Sequence, residues 1–143
     1  MKYNNYGALM ILALALIVGA PAIQAQTRVQ ANVPFDFNLG QKLMEAGVYD
    51  ISSPDGRVLI VRNVNTREGC LMLESMHIQA SQANGIPHAK LVFYKYDDQY
   101  FLAQIWDGLS DVGIAFPESK REKELKLARK DKLQPELVVI AMR

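Results

Sequence analysis

The chain has 143 residues, half of them apolar and 22% charged, with sixteen lysines and arginines against fifteen aspartates and glutamates for a net charge of +1. Such a balance argues against a general binder of nucleic acid or of anionic membranes, which need a basic excess. A single cysteine, Cys70, excludes an internal disulfide framework.

Lys2 is the only charged side chain ahead of the apolar run Ala8 to Gly19, which leads into Ala20-Pro21-Ala22-Ile23-Gln24-Ala25-Gln26. A positive end, a short apolar stretch and a small-residue exit are the parts of a secretory signal. The run is shorter than the about 20 apolar residues of a comfortable membrane crossing, so an uncleaved anchor is the lesser alternative. The expectation is a signal peptide over 1–25, cut between Ala25 and Gln26, and one domain over 26–143 acting in the periplasm or outside the cell, with no stable membrane span after cleavage. A domain of this length buries roughly two-thirds of its unfolded surface and folds without staples. Cys70, within Gly69-Cys70-Leu71-Met72-Leu73, reads as a buried inert thiol.

Strict alternation opens that domain. Val29, Ala31, Val33, Phe35, Phe37 and Leu39 point one way and Gln30, Asn32, Pro34, Asp36 and Asn38 the other, the period of a half-buried strand. Pro34 cannot donate to a ladder, which predicts an edge or a bulge there. A turn at Gly40-Gln41-Lys42 precedes a short strand Val48 to Ser52, and Ser53-Pro54-Asp55-Gly56 is a strong turn. Arg57 to Val64 is β-branched and predicts a strand ended by Asn65-Thr66-Arg67-Glu68-Gly69. Cys70 to Ala80 predicts another strand, with a short helix as the alternative, and Ser81 to His88 a loop.

The clearest hairpin joins Lys90–Tyr96 to Tyr100–Trp106 across Asp97-Asp98-Gln99. Both arms are apolar on two faces, which predicts a central position or a layer over each side. Gly108 to Gly113 interrupts the pattern. Ser119-x-x-Glu122 has the spacing of a capping box for a charged helix running from about Glu118 to Lys132, with an i,i+4 pair between Glu122 and Lys126 and a narrow contact from Leu125 and Ala128. Pro135 ends it, and Glu136 to Met142 returns to strand composition. The fold class expected is mainly β, an antiparallel sandwich or small barrel of about seven to eight strands with one charged α-helix near the C-terminus.

Val33-Pro34-Phe35-Asp36-Phe37, Ala46-Gly47-Val48-Tyr49, the stretch Leu91-Val92-Phe93 through Asp98-Gln99-Tyr100-Phe101-Leu102 to Trp106, and Pro117-x-Ser119-x-x-Glu122 together resemble a family of uncharacterised exported β-rich proteins seen mainly in acidobacterial genomes. The resemblance spans nearly the whole mature chain and implies an exported protein of no known activity. A glycine is expected in that pattern where Asp97 stands.

No catalytic motif is present: His77 and His88 lie in no signature, no Gly-x-Ser-x-Gly elbow exists, and the glycines form no phosphate cradle. Asp97, Asp98 and Asp107 offer carboxylates that could converge, although acids at hairpin tips are ordinarily solvated turn formers. If Cys70 to Ile78 is one strand, Cys70, Met72, Glu74 and Met76 share a face suited to Cu(I), although core packing explains them equally. The expectation is therefore a non-enzymatic binding module with no cofactor, partnered by an envelope or extracellular protein and not by nucleic acid. The alternative is a carrier whose apolar cavity is lined by Phe35, Phe37, Phe93, Tyr94, Phe101 and Trp106. A hydrolase and a copper-binding protein are remoter readings, as is docking of the basic helix on an anionic partner.

Overall fold

A computed structural model describes residues 28–54, 58–73, 76–80, 87–128 and 134–143. The leader and its cleavage point at Ala25 and Gln26, the tip of the turn at 55–57, Glu74, the loop 81–86 and the expected end of the helix at 129–133 lie outside the described residues. Among them, no helix is long and apolar enough to cross a membrane.

Two sheets face each other. The first is antiparallel, in the order β1 (Arg28–Val33), β4 (Gly47–Ser52), β5 (Val58–Asn63), β6 (Gly69–Leu73). In the second, β11 (Glu136–Ala141), β8 (Lys90–Tyr96), β9 (Gln99–Trp106), β10 (Val112–Ala115) and β7 (Met76–Gln79) lie side by side. A small hairpin of β2 (Phe37–Leu39) and β3 (Lys42–Met44) joins it where Phe37 and Asn38 run parallel to Tyr100 and Phe101. Along one seam the sheets are stitched together: Ala31 bridges Met142, and the backbones of Gln30 and Arg143 exchange two 2.9 Å hydrogen bonds. At the other side the chain passes from β6 in one sheet to β7 in the next. The result is a sandwich closed along one seam.

The described residues hold eleven strands, not seven or eight, because two expected strands divide and two stretches expected as a turn or a break, at Gly40–Lys42 and Gly108–Gly113, lead into strands of their own, β3 and β10. The Val29–Leu39 strand breaks after Val33, where β1 ends at the edge of its sheet as Pro34 implies, and Pro34 itself sits exposed in the crossing between sheets. Its alternation survives the break, with Ala31 and Val33 entering the core from one sheet and Phe37 and Leu39 from the other. Asp36 holds the crossing by accepting a 2.7 Å hydrogen bond from the Ala46 amide. The Cys70–Ala80 strand is likewise shared between sheets as β6 and β7, and Gly113, expected to interrupt the pattern, lies inside β10.

The core between the sheets is filled by Val33, Tyr49, Ile51, Leu59 and Val61 against Phe37, Leu39, Leu91, Phe93 and Ile105. Edge-to-face contacts link Phe37 to Tyr49 and to Phe93 at 5.2 and 5.3 Å. The hairpin is buried on both faces, as its two-sided apolar composition implies: Val92, Tyr96, Phe101 and Trp106 are buried too, outside that cluster. Its turn is a two-residue one in which Asp97 adopts φ 54°, the left-handed region that glycine enters without strain.

The helix α1 (Lys120–Ala128) covers the Tyr96 end of that outer face. Ser119 caps it by accepting from the Glu122 amide at 3.1 Å, half of the expected capping box. The expected surface pair of Glu122 with Lys126 does not form. Glu122 is buried and accepts a 3.0 Å hydrogen bond from the Tyr96 hydroxyl, while Lys126 pairs with Glu118 and lies 5.7 Å from the Tyr96 ring. The capped first turn aims Glu122 at the sheet. Ala128 stays exposed and Leu125 is half-buried, so a carboxylate makes the contact that an apolar stripe would ordinarily make.

Burial raises the Glu122 pKa and drives that of Tyr96 up to about 12. A carboxyl whose folded pKa is raised binds its proton more tightly in the folded chain, so its contribution is fully present below the ordinary carboxylate range and is lost as pH rises through the raised value. Glu122→Gln, which keeps an acceptor for Tyr96, is therefore expected to be more stable than wild type at pH 7. The gap should close as pH falls from the raised value into the ordinary carboxylate range, as read by urea denaturation across that window; a gap that widens toward acid would refute the assignment.

Candidate functional site

At the end of the sandwich opposite the Asp97–Asp98 tip, the sheets part around a half-open cavity of about 310 Å³. Its walls are aliphatic: Val29, Ile51 and Leu59 come from the first sheet, Ile105, Val112 and Ile114 from the second. Polar groups stand among them, namely Ser52 at the end of β4 and Ser53 after it, His77 on β7, Asp107 after β9 and Ser110 before β10. Antiparallel pairing gathers them, because Val29 opposes Ile51, Ser52 opposes Ile60 and Ile114 opposes both Ile105 and His77.

The segment carrying Asp107 and Ser110 is locked by its own bonds. Asp107 Oδ1 accepts from the Leu109 amide at 2.9 Å, and Ser110 Oγ donates to the Val112 carbonyl at 3.2 Å while accepting from its amide at 3.3 Å. Asp111 accepts from the Ala80 amide and the Gln79 side chain at 2.7 and 3.0 Å, pinning the segment to the end of β7. Gly108 holds φ 77°, and a Cβ there would meet the Ala89 backbone nitrogen at 2.7 Å.

Ser53 differs from its neighbours. Its Oγ is buried and has no hydrogen-bond partner among the described residues. A buried hydroxyl left unpaired costs about 1–3 kcal/mol relative to a satisfied one.

His77, Asp107 and three serines share this cavity, which invites comparison with nucleophilic catalysis. That chemistry needs the nucleophile's proton on a base. Ser110 gives its proton to a backbone carbonyl, and Ser53 Oγ has no hydrogen-bond partner among the described residues, so neither of these two is engaged by His77. His88 is exposed ahead of β8 and does not line the cavity. Asp97 and Asp98 cannot converge with Asp107, because the eight residues of β9 separate them by about 27 Å at the rise of an extended strand.

The thiol and thioethers are also divided. Cys70 and Met72 lie on β6 and pack against the core, whereas Met76 is exposed on β7 in the other sheet. They do not share one strand face. Among the described residues no three histidine, cysteine or acidic side chains cluster as metal ligands.

The aromatic residues expected to line a cavity lie elsewhere. Phe37 and Phe93 fill the core, Phe35 packs against Phe93 and stacks on Tyr100 at 3.8 Å, and Phe101 and Trp106 are buried on the outer face. Sequence reasoning took Ser53 for a turn former and passed over Ser52 and Ser110, because nothing local marks their meeting. Comparison with family models, curated proteins and solved structures returns no match.

Proposed function

We propose that this is an exported, non-catalytic binding protein whose ligand is a small, largely apolar molecule held between the two sheets. The observation that carries the reading is the 310 Å³ cavity with aliphatic walls and, buried in them, the Ser53 hydroxyl, which has no partner among the described residues. Ligand sites have this make-up, a mostly apolar concavity of about 300–1,000 Å³ with a few placed polar groups. Transfer of apolar surface from water supplies affinity, and the hydroxyl supplies orientation. The volume sits at the lower end of that range, which favours a ligand of modest size.

Filling the cavity tests the idea. Ile114→Trp and Val29→Trp, placed on opposite walls, are each expected to weaken displacement of a solvatochromic apolar dye at least tenfold while leaving cooperative unfolding intact. Undiminished dye binding in both folded variants would sink the proposal. Export rests on Lys2, the Ala8–Gly19 run and the small-residue exit to Ala25, and is tested by fractionation with N-terminal sequencing: a mature chain starting at Gln26 outside the cytoplasm supports it, and an intact Met1 end in the cytosol refutes it.

A second reading, a module that docks on an envelope or extracellular protein, draws on the outward face of β11, where Leu137 and Val139 are 63% and 55% exposed. Leu137→Lys with Val139→Lys would abolish such docking without touching the cavity.

A further inference from the structure

We infer that the ligand of this cavity is an amphipathic amine, its hydrocarbon part among the aliphatic walls and its cationic head at Asp107. The inference deepens the binding reading and depends on it. Asp107 is the one carboxylate among the described residues that line the cavity, and no lysine or arginine accompanies it. One of its oxygens, Oδ1, is committed to the Leu109 amide, which fixes the carboxylate in place at the end of β9. The neighbouring acid, Asp111, adds negative charge to the same segment. A cation entering here meets an opposite charge beside low-dielectric aliphatic walls, where screening is weaker than on an open surface. An anionic head would meet repulsion from the same group, so discrimination runs against fatty-acid-like ligands as well as toward amines.

A chain-matched series separates charge from burial. The full mature chain is titrated with n-octylamine, n-octanol and octanoate in competition with the apolar dye at low salt. The amine is expected to displace it at least tenfold more tightly than octanoate, with octanol between. In Asp107→Asn the amine and octanoate should converge while octanol is unchanged. If octanoate competes as well as the amine in wild type, yet the Ile114→Trp variant blocks all three, the amine assignment falls and the cavity reading stands. If no member of the series displaces the dye from wild type, both fall. Should the amine preference persist undiminished in Asp107→Asn, the carboxylate is not its source and the inference is overturned.

Discussion

Gly113→Ala should destabilise the protein by about 3 kcal/mol, the upper part of the range for overpacking a filled site. Gly113 is buried within β10, and a Cβ there would lie 2.7, 2.8 and 2.9 Å from Cδ2, Cε3 and Cε2 of Trp106. Those atoms belong to the body of a fused ring, so none can swing aside alone. The indole is itself held: it is 7% exposed, its Nε1 donates to Gln104 Oε1 at 3.0 Å, and Lys90 Nζ sits 5.8 Å from the ring. Either the ring leaves its pocket or β10 moves off β9, and the strand it would move carries Val112 and Ile114 of the cavity wall. A loss of about 3 kcal/mol lowers the melting temperature by roughly 10 °C at this chain length. Trp106 is the only tryptophan, so its fluorescence reports the displacement directly. Trp106→Leu should remove part of the penalty in the double variant. A Gly113→Ala protein within about 0.5 kcal/mol of wild type, its emission unshifted, would show that the indole does not need the space, a change of the size typical of neutral surface substitutions.

Phe93→Ala should cost more, about 4 kcal/mol, within the usual range of about 3–5 kcal/mol for truncating a buried phenylalanine. Phe93 is 0% exposed, and its ring meets the edges or faces of Phe35 at 5.2 Å and Phe37 at 5.3 Å. Truncation removes burial and both aromatic contacts, each worth about 0.5–1.5 kcal/mol beyond area. Relaxation is restricted, because Phe93 follows the irregularity in register between Val92 and Phe93 that seats β8 against β9. Against a total stability of about 5–15 kcal/mol the variant should be marginal. Equilibrium urea unfolding measures it, and a loss below about 1 kcal/mol would mean that the core collapses around the gap.

Some of these features were legible without coordinates and others were not. Period-two alternation over 29–39 identified the inward residues correctly although the chain changes sheets within it, because alternation reports the side of the backbone and not the partner strand. The Lys90–Trp106 hairpin was legible because its strands are long and its turn short. Gly113 was not, since a glycine in a strand looks like a break until the ring that occupies its Cβ space is known. Glu122 was read as a surface partner of Lys126 because helical spacing fixes which side chains neighbour each other and says nothing of which face turns inward.

The amino-acid sequence by itself determined the β architecture, the charged helix with its Ser119 cap and the absence of local catalytic signatures, because these depend on neighbours within a few residues. Only the tertiary structure decided that Ser53, His77, Asp107 and Ser110 meet across a cavity, that Asp97 and Asp107 stand at opposite ends of one strand, and that Cys70 and Met76 belong to different sheets. Pairing between distant strands sets those distances, and the register of such pairing is the outcome of packing, which no short stretch of chain encodes.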